Sequence, residues 1–496
     1  MSENLEKLRA FLDKCADYNH VTNLLYWDMR TLMPEKGFPD HEKAMTAFST
    51  EAFRMETSDE LYETVKALNT PEEFDGLDEN WKFIVRRMER DLTRQRRIPA
   101  DFYEALVKEQ SESERSWEEA KNAGDFSIFA PHLEKMISFM TELAGYTDPG
   151  KDPYDVMLGN FEEGMDREAI DGIFEELKAE LIPMVREILS RGEWQDGRFY
   201  EPVPVEAQRE MQEVLLRYIG FDFGRGCTGE SEHPFTLNLS SRDVRVTNHF
   251  NETNAIDPMF SAIHEGGHAI FEQNVSEELD GTVGGSCSYM GIHESQSRFY
   301  ENILGRRRSF WVPVYGSVQE LFPAYRDISL DDFVKEINHV RASFIRTEAD
   351  EVTYCLHILI RYEMEKKIFR EHIPVSELPE LWNRLTEEYL GIRPEDPRDG
   401  ILQDMHWSDG SFGYFPSYLL GSIYDGMFLE AMEEELGDID RLLENGEIGK
   451  ITEWLNRKIH RYGSTRTPKE VIREVCGRPL SAKPLLRYFR KKHFAE

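Results

Sequence analysis

The sequence predicts a mainly α-helical body with one small β-sheet beside it. Apolar residues recur at spacings near 3.6 through most of the chain, one short patch alternates instead, and turn formers separate the segments without any low-complexity linker. The helical stretches 77–97, 102–122, 167–191 and 205–219 mix Leu, Ile and Met with Glu, Lys and Arg, so that each has an apolar face. Asp148-Pro149-Gly150 and the two prolines within 392–400 break this pattern. The exception, FTLNLSSRDVRVTNHF at 235–250, is rich in Thr and Val and reads as a strand or hairpin. With no linker and no repeat, residues 1–496 are expected to form a single domain.

Charge then excludes several classes of function. The 496 residues carry 59 basic and 94 acidic side chains, a formal net charge of −35. Nucleic-acid binding and docking on anionic membranes both need basic surfaces, so neither is expected. At 40% hydrophobic and 12% aromatic, the chain can bury a large core. No segment approaches the roughly 18 apolar residues of a membrane span. The start carries Glu3, Glu6 and Asp13 where a secretory signal would be basic and then apolar. The cysteines at 15, 227, 287, 355 and 476 are scattered and odd in number, which suits reduced thiols in a cytoplasmic protein. Residues 451–496 sum to +8 and the remainder to −43, so a basic C-terminal helical element is expected to dock on an acidic body.

The segment DPMFSAIHEGGHAIFEQNV contains His264-Glu265-Gly266-Gly267-His268. On a helix, residues four apart share a face, so both imidazoles can reach one metal ion. Glu265 lies about 100° round the helix, where it can address a water on that metal. Chance supplies roughly 0.05 such patterns in a chain of this composition. The paired glycines cost up to about 1 kcal/mol each in a helix interior, and they let a substrate or another backbone come close.

A zinc hydrolase needs a third protein ligand and an open position. Phe271 and Asn274 stand where an HExxHxxGxxH pattern requires Gly and His. Downstream of the loop 280–288, His293-Glu294-Ser295-Gln296-Ser297-Arg298 begins a new helical pattern. Glu294, 26 residues past His268, is favoured over Glu272, Glu277 and Glu278, with His293 as a rival.

HEGGH followed by HESQSR, with SRDVRVT upstream and LQDMHW downstream, resembles the carboxypeptidase Taq family of zinc metallopeptidases. Leu25-Tyr26-Trp27-Asp28, His233-Pro234-Phe235, Arg346-Thr347-Glu348-Ala349-Asp350-Glu351 and GYFPSYLLG extend the resemblance along most of the chain. It implies an elongated helical body with a deep central groove, similar to angiotensin-converting enzyme and neurolysin. It also implies a cytoplasmic homodimer that removes C-terminal residues from peptides. On this reading His264, His268 and Glu294 hold Zn²⁺, with Co²⁺ or Mn²⁺ as possible replacements. Glu265 is the general base. His406 is the first candidate for stabilising the oxyanion, with Tyr418 preferred over Tyr414 as its partner. The resemblance points to Arg346 for the terminal carboxylate, and His233 is expected to contact substrate from the strand side.

Around this site, Asp243, Arg245 and Thr247 share one strand face and are expected to tie the strand to the active-site helix. Asp257 or Asp350 is expected to orient a ligand histidine. The strand edge could pair with an extended peptide, and part of the net negative charge could line the groove entrance and favour basic peptides. The competing functions are an endo-oligopeptidase or dipeptidase on the same fold, and an inactive helical scaffold.

Overall fold

The computed structural model describes residues 2–192, 194, 196–285 and 288–494. The first helix, α1 (Glu3–Thr31), starts at Ser2, whose hydroxyl accepts the Leu5 amide at 3.3 Å. Glu3 and Glu6 in its first turn complement the helix dipole. The four stretches expected to be helical are Glu79–Gln95, Ala100–Ala123, Arg167–Leu189 and α2 (Val205–Ile219). Gly220 ends α2 with φ +104°, a conformation that favours glycine.

Three strands follow: β1 (Gly226–Glu230), β2 (Thr236–Ser240) and β3 (Asp243–Asn248). Their order is β1-β3-β2, with β2 antiparallel to β3 and β1 parallel to it. The expected hairpin at 235–250 is β2–β3. The third strand, GCTGE, was not expected, because its two glycines carry no strand propensity. Those glycines are what the strand needs. A Cβ on Gly226 would lie 2.0 Å from the Val244 carbonyl, and one on Gly229 would lie 2.8 Å from the Trp27 ring.

The sheet lies between α1 and the next helix. Val244 and Val246 are buried, and the Asn248 amide donates to Pro258 O at 2.9 Å. On the opposite face Arg245 lies 5.6 Å from the Trp27 ring centroid. This corrects the expected role of Asp243, Arg245 and Thr247. Arg245 pairs with Asp243 at 2.8 and 2.9 Å, and the Thr247 hydroxyl accepts the Phe235 amide at 2.9 Å. They brace the sheet and the loop before β2, and other side chains tie the sheet to the site.

The site is built from α3 (Ile256–Gln273), α4 (Met290–Arg298), α5 (Thr353–Glu371) and α6 (Phe415–Leu436). Most of α3, α5 and α6 is buried, so they lack the polar face of the outer helices. Backbones cross closely here. A Cβ on Gly267 of α3 would lie 2.7 Å from Gln296 O and 2.8 Å from Ser297 Cα of α4. One on Gly421 of α6 would lie 3.1 Å from Gly291 O and from Ser295 N. Helix α4 is therefore clamped between α3 and α6.

The last helix, α7 (Lys483–Phe494), docks as its charge predicts. Leu485, Leu486, Tyr488 and Phe489 are buried, Arg487 Nε donates to Glu430 at 2.7 Å, and Lys492 pairs with Glu351. Cys15, Cys227, Cys355 and Cys476 are free thiols, and Cys287 lies outside the described residues.

Candidate functional site

One turn of α3 and one turn of α4 bring together three side chains that could hold a metal ion. Glu294 Oε2 lies 3.6 Å from His268 Nε2 and 3.9 Å from His264 Nε2, and the three potential ligand atoms all fall within 4.8 Å of one another. Ligands about 2.0–2.2 Å from a zinc ion would stand slightly closer together than this, so the set fits after small adjustments. Both Nε2 atoms face the same carboxylate. The Nδ1 of His264 donates to Glu301 Oε2 at 2.8 Å, so a cation binding at Nε2 would displace the proton held there. Glu301 lies in a π-helical turn, Phe299–Leu304, that extends α4. The other oxygen of Glu294 accepts Arg298 Nε at 2.7 Å, so Glu294 presents a single oxygen to the centre.

Electrostatics follow from that packing. Burial alone would lower the His264 pKa, but Glu301 and Glu294 overcome it and hold the imidazole well above its usual range. Burial beside His293 pushes His268 down to about 3, so it stays neutral and able to bind metal. Glu294 faces the opposite balance. Burial would raise its pKa, but Arg298 and the two histidines hold the carboxylate ionised.

Glu265, next to His264, projects towards the sheet. Its Oε2 accepts the Thr236 hydroxyl at 2.7 Å, and that hydroxyl also lies 3.0 Å from the Glu265 carbonyl. Burial raises the Glu265 pKa, the direction a general base working near neutrality requires. The rival ligands are engaged elsewhere. His293 Nε2 lies 2.8 Å from Glu272 Oε1, and Asn238 of β2 donates to the other Glu272 oxygen. The His293 ring stacks on His268 with centroids 4.4 Å apart. Glu277 and Glu278 lie in an exposed turn, where Glu278 accepts Asn80 at 2.9 Å.

A second buried network carries the remaining candidates. His406 Nε2 lies 3.3 Å from the Tyr418 hydroxyl, and the Tyr414 ring stacks on Phe161 at 4.8 Å and lies tilted against Tyr418 at 4.9 Å. Burial, with Arg346 and Arg361 nearby, pushes His406 down to about 4 even though Asp404 opposes the shift. Arg346 Nε and Nη2 contact Asp404 Oδ1 at 3.0 and 2.9 Å, and its Nη1 donates to the Tyr354 hydroxyl at 3.2 Å. Arg361 Nε takes the other Asp404 oxygen at 2.6 Å. Arg298 lies 3.7 Å from the Tyr354 ring centroid, which links this network to the Glu294 carboxylate.

A profile of the carboxypeptidase Taq (M32) metallopeptidases matches residues 7–493. The chain belongs to this family. Carboxypeptidase 1 of Bacillus subtilis (strain 168) is 42% identical over 484 residues, covering 97% of this chain and 96% of that protein. Thermostable carboxypeptidase 1 of Thermus thermophilus is 36% identical over 501 residues, covering 99% and 98%. The crystal structure of the M32 carboxypeptidase from Deinococcus radiodurans R1 superposes with a TM-score of 0.96 at 30% identity, covering 100% of this chain and 99% of that one. The chain is therefore a metallocarboxypeptidase of the M32 family, and its metal is a divalent cation.

Within this M32 carboxypeptidase, the structure corrects one assignment outright. Neither Asp257 nor Asp350 is hydrogen-bonded to His264 or His268. Asp257 is exposed at the start of α3, and Asp350 binds the Thr353 hydroxyl at 2.6 Å. Glu301 instead holds His264 through its Nδ1. Glu294, Arg298 and Glu301 are spaced i, i+4 and i+7, which places them on one helix face, and this signal was present in the sequence. Asp404, which joins two distant arginines, had no such signal. His233 lies in the exposed loop between β1 and β2, where its carbonyl accepts the Ser231 hydroxyl at 2.7 Å.

Proposed function

We propose that this M32 metallocarboxypeptidase is zinc-dependent and removes C-terminal residues of varied side chain from peptides. The observation that supports this most directly is the meeting of His264, His268 and Glu294 beside a Glu265 carboxylate held by Thr236. Bound among those three ligands, zinc would supply Lewis-acid polarisation of the scissile carbonyl and a water with a pKa lowered towards about 7, and Co²⁺ or Mn²⁺ could substitute.

The chain's own groups do the rest. Glu265 takes a proton from the attacking water and passes it to the leaving amine. Thr236 restricts the carboxylate to one orientation while it does so. Tyr418, whose hydroxyl meets His406, is assigned with it to stabilise the developing oxyanion. Tyr414 is the weaker choice, because its ring is packed against Phe161 and Tyr418. Arg346 anchors the terminal carboxylate with whatever donor capacity Asp404 leaves it, and His233 contacts substrate from the loop beside the sheet. We further propose that residues 1–496 act as one catalytic unit, in the cytoplasm and as a homodimer, as the family resemblance implies.

A matched pair of peptides, one with a free and one with an amidated C-terminus, tests the assignment. The free acid should be cleaved one residue at a time from its end. Equal cleavage of both would identify an endo-oligopeptidase instead.

A further inference from the structure

We propose that the cavity at the far end of β2 is a substrate subsite that selects Lys or Arg four or five residues before the scissile bond. The inference rests on the carboxypeptidase reading and adds a substrate class to it.

Strand β2 connects the two places. At one end Thr236 touches the Glu265 carboxylate, and at the other Asn238, Leu239 and Ser240 line a cavity of about 960 Å³. At about 3.3 Å per residue, Thr236 and Ser240 are roughly 13 Å apart. In the order β1-β3-β2, β2 is an edge strand, and one of its edges is unpaired with any strand among the described residues. An extended peptide can add to such an edge. Running antiparallel to β2, it would enter at the cavity and bring its C-terminal part to Glu265. A carboxypeptidase needs that polarity, because the long part of its substrate lies upstream of the cleaved bond.

The chemistry of the walls selects the side chain. Leu12 and Leu92 supply apolar surface, while Asp13, Asp17 and Glu56 are exposed and Asp280 is half-buried. Asp280 accepts the Ser241 amide and hydroxyl at 3.0 and 2.8 Å, and Glu56 accepts Asn19 at 3.1 Å. Asp91 also lines the cavity but is bridged by Arg87 and Arg90. Arg242 is the one Lys or Arg among the described lining residues, and it lies 4.0 Å from Glu277. An apolar wall with exposed acidic groups matches a long basic side chain, whose methylene stem packs while its charged head stays in water.

The test is a labelled decapeptide series, alanine-based, in which one Lys is moved through successive positions upstream of the C-terminus. Binding to the zinc-loaded Glu265→Gln protein is read by fluorescence anisotropy, so the result does not depend on turnover. Lys at the fourth or fifth position before the scissile bond should tighten binding about five-fold at low salt, as about 1 kcal/mol of solvent-exposed ion pairing would give. Asp13→Asn/Asp17→Asn should abolish that preference and leave the all-Ala peptide unaffected. Glu56→Gln provides a second variant on a different helix. Equal affinity for every Lys position, or a preference that survives both variants, would overturn the subsite. A position-specific preference in a protein that hydrolyses none of these peptides would uphold the subsite and reject the peptidase reading.

Discussion

Glu301 Oε2 accepts a hydrogen bond from His264 Nδ1 at 2.8 Å, across the crossing of α3 and the π-helical extension of α4. That single contact fixes the tautomer and ring plane of one proposed ligand. It also ties the geometry of the centre to an irregular turn.

Replacing Glu301 by Gln removes the charge and keeps the size. Metal affinity should fall about 10–100-fold, as expected when the partner of a ligand histidine is lost. Competition with a chromogenic chelator measures it, and unchanged affinity would contradict the role given to Glu301.

Glu265→Gln should retain the metal, because Glu265 is not among the three ligands. Its kcat should drop by about 10²–10⁴-fold, the usual contribution of general acid–base catalysis. Loss of metal in this variant, measured by elemental analysis, would show that Glu265 supports the centre itself.

The glycines of the HEGGH segment make opposite predictions from a surface glycine. Gly267→Ala places a methyl group 2.7 Å from Gln296 O, so it should destabilise by about 1–3 kcal/mol and weaken metal binding with it. Gly172 is exposed in the helix Arg167–Leu189, and a Cβ there would meet nothing within 4 Å. Gly172→Ala should therefore stabilise by up to about 1 kcal/mol. Denaturant midpoints moving in the same direction for both would refute the close-crossing argument.

Glu365 predicts a pH dependence. Its buried carboxyl accepts the Tyr154 hydroxyl at 2.8 Å, Trp407 Nε1 at 2.9 Å and the Gly413 amide at 3.0 Å. Burial outweighs these donors and pushes its pKa up to about 7 from 4.5. The folded state therefore holds a proton that the unfolded chain releases, so this group's contribution to stability declines as pH rises from 4.5 to about 7. The decline is of the order of 3 kcal/mol at 1.36 kcal/mol per unit. Glu365→Gln should flatten the slope of stability against pH in that window, and an unchanged slope in melting experiments would show that Glu365 is ionised throughout.

Arg346→Lys removes the planar fork that meets Asp404. If Arg346 anchors the terminal carboxylate, kcat/KM for free-acid peptides should fall by about 100-fold, mostly through KM. Residual cleavage of amidated peptides should stay as it was. An equal loss on both substrates would make Arg346 a positioning residue for the His406 network.

Much of this protein was legible before folding. The amphipathic stretch 205–219 coincides with α2, and the alternation in 235–250 becomes the β2–β3 hairpin. Both signals are local, since periodicity reports which side of an element is buried. Strand β1 was invisible for the complementary reason. Gly226 and Gly229 are chosen by what approaches them from Val244 and Trp27, and nothing in their own segment records that.

The sequence by itself determined the chemistry on offer: two imidazoles one helical turn apart with a carboxylate beside them, a length of helix to carry them, and a formal net charge of −35. Tertiary structure decided which carboxylates surround them. It brought the Glu294 carboxylate to both imidazole Nε2 atoms while the stacked His293 ring turned its own Nε2 to Glu272, gave Glu301 the role expected of Asp257 or Asp350, and joined Arg346 to Arg361 through Asp404. The reason is physical. A motif within one helix is fixed by 3.6 residues per turn, whereas a partner on another helix depends on where backbones cross, and here those crossings depend on Gly267 and Gly421 having no side chain.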